Sequence, residues 1–144
     1  MKNSPRFGKL GIILSLFAGM MLIALFSCDP KPPKNSLVAQ AQKGKVHFDQ
    51  YCVDCHGKDA RGIRIDTLKT QPADLTRIMD SRGVTDFPIL QIADLIDGRM
   101  MSGAHGTRAM PIWGEVFSKE EYLTEKQIKG KMAELIAYLM SIQE

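Results

Sequence analysis

Two cysteines stand three positions apart and a histidine follows the second directly: Cys52-Val53-Asp54-Cys55-His56. Thiols at this spacing sit about one helical turn from each other, on one side of the chain. They can therefore add to the two vinyl groups on one edge of a porphyrin, and a histidine next to them is then held under the iron. C-x-x-C-H is the attachment signature of haem c. Two other chemistries use the same residue types. A redox dithiol would need a strand–helix–strand setting, and no convincing strand run lies near the motif. A structural zinc site would need four ligands. Cys52, Cys55 and His56 offer three, and His47 or His105 would have to complete it.

The chain holds three cysteines, so one remains, Cys28. It closes a leader. Lys2, Arg6 and Lys9 precede an uncharged run from Leu10 to Phe26, and the first 27 residues contain no Asp or Glu. A helix of that run would rise about 25 Å, short for a bilayer core of about 30 Å. A basic start followed by an apolar stretch reads as an export signal, with an uncleaved N-terminal anchor as the other reading. Leu25-Phe26-Ser27-Cys28 resembles a bacterial lipoprotein box, although Phe26 is bulkier than that box usually carries. Residues 1–27 are accordingly expected to be a signal peptide. Cys28 is the expected lipidation point, and residues 28–36, with Pro30, Pro32 and Pro33, form a semi-rigid spacer. The domain would then lie in the bacterial cell envelope, on the periplasmic or outer face of the cytoplasmic membrane.

The net charge of +3 (19 Lys and Arg against 16 Asp and Glu) belongs wholly to the leader, and the remainder is formally neutral. Neutrality gives no sign of a nucleic-acid partner. Residues 37–144, 108 in all, suffice for one domain.

Certain elements must position the motif. Ser36 suits the cap of a helix starting at Leu37, whose Leu37, Ala41, Gly44, Phe48 and Tyr51 share a face and lead straight into Cys52. A short helix is expected near Asp74–Asp80. Another runs from Phe87 to Asp97, opened by Pro88 and closed by Gly98. On it, Leu90, Ala93 and Ile96, widened by Ile92, are expected in the core. Residues 98–114 carry four glycines without sustained periodicity and read as a loop. Ser118 with Glu121 and Thr124 with Gln127 each match a capping box, which predicts a short helix and then a long one. The long one is strongly amphipathic through Ile128, Met132, Leu135, Ile136, Leu139 and Ile142.

These patterns, in this order over residues 37–144, resemble a class I c-type cytochrome. The resemblance implies an all-α cytochrome c fold, in which N- and C-terminal helices cross and short helices and loops wrap one covalently bound haem. Gly44, Phe48, Leu135 and Tyr138 would form the crossing. Cys52 and Cys55 would carry the haem thioethers and His56 would be one axial iron ligand. Met110, in Met110-Pro111-Ile112-Trp113, would be the other, with Met100, Met101 and His105 as competitors on the same loop. Pro72 would offer its carbonyl to His56. Trp113, Arg99 and Arg108 would contact the haem, the arginines through its propionates. The implied function is single-electron transfer with redox proteins as partners, and no small-molecule substrate. The alternatives are a subunit of a larger oxidoreductase complex, or a haem protein with an open sixth site.

Overall fold

The computed structural model describes residues 32, 33, 35–100 and 110–144. The leader, Cys28, Met101, His105 and Arg108 lie outside the described residues. Six α-helical segments follow one another: α1 (Leu37–Tyr51), α2 (Val53–His56), α3 (Ile78–Arg82), α4 (Ile89–Asp97), α5 (Trp113–Glu115) and α6 (Glu125–Ser141). A 3₁₀ turn, Leu75–Arg77, precedes α3, and a π-helical turn, Val116–Glu120, follows α5. No strand occurs among the described residues. The fold is all-α, as the sequence predicts.

Helix α1 starts where Ser36 Oγ accepts the Ala39 N–H at 3.2 Å. It crosses α6, the C-terminal helix, at Gly44. A methyl group on Gly44 would overlap the backbone carbonyl oxygen of Glu134 and lie 2.8 Å from Tyr138 Cβ. Only a residue without a side chain lets the backbones approach so closely, which offsets its helix cost of about 1 kcal/mol. Beside the crossing, Phe48 and Tyr138 pack with ring centroids 5.1 Å apart. Leu135 is buried there too. His47 is half-buried and bridges to α6, its Nε2 2.9 Å from Glu134 Oε2; Lys43 reaches the same carboxylate at 3.0 Å.

Helix α6 opens with the predicted capping box: Gln127 Oε1 accepts the Thr124 N–H at 2.9 Å, and Thr124 Oγ1 accepts the Gln127 N–H at 3.4 Å. Its inner face buries Ile128, Met132, Leu135, Ile136 and Leu139. The C-terminal tail is tied down by Gln143 Nε2, which donates to the Leu75 carbonyl at 2.8 Å, and by the Glu144 N–H, which donates to Thr76 O at 2.9 Å.

Two expectations are corrected. On α4 the core residues are Ile92 and Ile96, one turn apart, whereas Leu90 is 78% exposed. Leu90 lies two positions before Ile92, on the far side of a helix with about 3.6 residues per turn. The Ser118–Glu121 capping box does not form either. Ser118 sits inside the π-helical turn, and Glu121 bonds to Lys131 of α6 instead.

Candidate functional site

Cys52 caps the end of α1, its N–H donating to Phe48 O at 2.9 Å, and the chain makes one further turn as α2 before Gly57 stops it. Helical continuity thus carries both cysteines and His56 on a single turn. Both cysteines are thiols, half-buried and not joined to each other. Burial, then the neighbouring Cys55, pushes the Cys52 thiol up to about 12. A redox dithiol depends on a lowered thiol pKa, so this environment disfavours that reading.

His56 Nδ1 lies 3.0 Å from the backbone oxygen of Ala73. A carbonyl only accepts, so Nδ1 carries the proton and Nε2 keeps its lone pair for a metal. The expected acceptor was Pro72, and the structure moves that role one residue on. The reason is the path of the intervening loop. Gly62, at φ +85°, donates its N–H to His56 O at 2.8 Å and presses against Pro72: a Cβ there would overlap the Pro72 carbonyl oxygen. The Pro72 carbonyl is thereby turned onto Gly62 and the next one reaches the imidazole.

Met110 is half-buried and packs against the core, as does Trp113. Met100 is 84% exposed, while Met101 and His105 are among the undescribed residues. Trp113 belongs to an aromatic cluster. Its ring centroid is 5.5 Å from that of Tyr51, edge-on, and 5.8 Å from that of Phe117, stacked. The cluster links the chain that enters Cys52 with the chain that leaves Met110.

Arg99 does not fit the propionate role expected of it. Its Nε and Nη2 donate to Asp97 at 2.8 and 2.9 Å, and its Nη1 and Nη2 donate to Glu125 at 2.5 and 3.1 Å. The fork is committed to two carboxylates, and the guanidinium holds Asp97 below the usual carboxylate range. Arg99 also brings together the two stems of the loop, since a Cβ on Gly114 would sit 2.6 Å from Asp97 Oδ1. Its work is structural. The partner Glu125 lies 26 positions away, and nothing in the local sequence announces it. Arg108 is outside the described residues.

The donor set suits haem c: two uncombined thiols, an imidazole with Nε2 available and a thioether in the following loop. It suits zinc poorly. His47 is engaged with Glu134, and among the described residues no three His, Cys, Asp or Glu side chains are grouped to hold a metal ion. A groove of about 770 Å³ between α1, α4 and α6 is lined by apolar residues such as Leu90, Ala93, Ile136 and Met140. None of Cys52, Cys55, His56 or Met110 reaches it, so it is separate from this site.

Sequence reasoning passed over Ala73 and the Lys131–Glu121 pair. Lys131 had a faint signal, a charge three positions after Ile128 on the apolar stripe of α6.

Residues 39–124, more than half of the chain, match the protein family described as cytochrome c oxidase, cbb3-type, subunit III. No curated protein and no solved structure matches.

Proposed function

The chain belongs to this cytochrome c family, and on that premise we propose that it is a membrane-tethered monohaem electron carrier with His56 and Met110 as axial iron ligands. Membership means covalently bound haem c and a part in electron transfer. When bound, the haem supplies a one-electron iron couple. Everything else is the task of the polypeptide. Cys52 and Cys55 hold the porphyrin edge by thioethers. His56 presents Nε2, its tautomer held by Ala73 O at 3.0 Å, and this single observation carries the ligation reading. Met110 supplies a soft sulfur that favours the reduced state and raises the potential. With both axial positions filled there is no place for a substrate, which suits a carrier.

The family description names an oxidase subunit, and that supports a second reading: the domain works docked within a larger redox complex. The axial pair is the same in both readings.

Replacing Met110 with Ala tests the ligation. The ferric wild-type protein is expected to show an iron–thioether charge-transfer absorption band, and the variant to lose it and bind cyanide readily. An unchanged band in Met110→Ala would remove Met110 from the iron and reopen Met100 and Met101, whereas a wild-type protein without the band would reopen His105.

The tether rests on the basic leader, its apolar run and Leu25-Phe26-Ser27-Cys28. Among the described residues no helix is long and apolar enough to cross a membrane. Lipid on Cys28 would keep the domain at a bacterial membrane, in an extracytoplasmic electron-transport chain. Cys28→Ser is expected to move the haem-stained protein out of the membrane fraction. Retention there, with the leader still attached, would point to an uncleaved anchor.

A further inference from the structure

We propose that Lys131 is a positioning residue for the second axial ligand: with Glu121 it locks the Tyr51–Trp113–Phe117 stack that ties the Met110 segment to the Cys52 segment. The inference rests on the ligation reading above.

Lys131 projects from α6 into an aromatic box. Its side chain is only 12% exposed. Nζ lies 4.4 Å from the Phe117 ring centroid and 4.7 Å from that of Tyr51, distances at which an ammonium is attracted to a ring. It also donates to Glu121 Oε2 at 2.6 Å and to the Tyr51 hydroxyl oxygen at 3.1 Å. One cation thus fixes two rings and one phenol. Tyr51 meets Phe117 at 5.2 Å, and both meet Trp113. Tyr51 directly precedes Cys52, and Trp113 stands three positions after Met110. Any freedom in this stack therefore reaches the Met110 residue through the two residues between them, Pro111 and Ile112.

The backbone is bent to make the contact. In the π-helical turn Val116–Glu120 the Glu121 N–H donates to Val116 O, one residue beyond the ordinary helical partner. Tyr122 then takes φ +56°, a left-handed conformation that a side chain makes costly. This departure swings the Glu121 carboxylate under Lys131. A buried ion pair is seldom worth more to stability than apolar side chains of the same volume. What an apolar replacement cannot supply is the hydrogen bond that orients the Tyr51 hydroxyl and the charge between the rings.

The test uses the full-length haem-loaded protein in its ferric state and the variants Lys131→Met, Lys131→Arg and Tyr51→Phe. Cyanide binding to the iron reports how readily the axial thioether lets go, and the denaturant midpoint reports the fold. Lys131→Met is expected to take up cyanide about tenfold faster, the worth of one charge-assisted hydrogen bond, with little change in midpoint. Lys131→Arg, which keeps charge and donors, is expected to stay near the wild-type rate. Should Lys131→Met fail to fold, Tyr51→Phe, which deletes a single oxygen, is expected to speed cyanide uptake by itself. Wild-type rates in both Lys131→Met and Tyr51→Phe overturn the proposal, as does an Arg variant as fast as the Met variant. A wild-type ferric protein without the thioether band overturns the ligation reading and this inference together, which equal rates in variant and wild type do not.

Discussion

Replacing Cys52 and Cys55 together with serine is expected to abolish haem staining of the denatured protein and to leave a chain without a cooperatively melting core. On the reading proposed above these two thiols would bond the family's cofactor to the chain, and no other cysteine lies in residues 37–144. The expected loss of fold has a separate basis. Tyr51, Cys52, Leu75, Met110 and Trp113 are only partly buried although they pack against the core. On the reading proposed above they would form the apolar wall against which an attached macrocycle completes the interior. Binding that is coupled to folding contributes its free energy to folding. A small domain has roughly 5–15 kcal/mol of stability in total, so losing such a partner is enough to unfold it. The checks are a haem stain on a denaturing gel and thermal melting followed by circular dichroism. Staining that survives in the double variant would show that the haem is held elsewhere. A sharp melt without haem would show that the helices suffice alone.

The second large effect is expected at Gly44. Gly44→Val would place a branched side chain on the Glu134 carbonyl and the Tyr138 Cβ. Neither neighbour is the movable end of a side chain, so α1 and α6 must separate. Overpacking of this kind costs about 3 kcal/mol or more, which in a domain of this size lowers the melting temperature by roughly 10 °C or more. The Lys43 and His47 bridges to Glu134 would be strained by the same displacement. Gly130, on the same long helix but exposed and with nothing within 4 Å of an added Cβ, is the control. Gly130→Ala is expected to be neutral or to stabilise by up to about 1 kcal/mol through helix propensity alone. Equal melting temperatures for Gly44→Val and wild type would mean that the crossing does not close the core.

Features that depend on short spacings were legible in the chain itself. In a helix, cysteines three positions apart lie about one turn from each other, and the C-x-x-C-H pattern let Cys52, Cys55 and His56 be identified as a unit before any fold was known. Ser36 and Thr124 announced the starts of α1 and α6 because an N-cap is a contact within three residues. The apolar spacing on α6 named its buried face, and Gly44 with Phe48 suggested a close crossing. The leader and Cys28 rest on sequence alone.

Contacts between distant segments, and the direction in which a carbonyl points, were decided only by the tertiary structure. Whether Pro72 or Ala73 accepts from His56 turns on how the loop passes Gly62, a shift of one residue that no local pattern encodes. Arg99 was expected at a haem propionate, and the fold brings Glu125 to it instead. Leu90 is as apolar as Ile92, and it lies outside because α4 is rotated to bury Ile92 and Ile96. In the chain Lys131 shows only a faint signal, a charge on the apolar stripe of α6. Its place between two rings follows from the π-helical turn that aims Glu121, and from the approach of α6 to the end of α1. Local spacing determined that the two thiols and the imidazole of Cys52, Cys55 and His56 belong together. The long-range packing of α1, α6 and the loop stems determined how those atoms are held, because orientation depends on neighbours that the linear order keeps far apart.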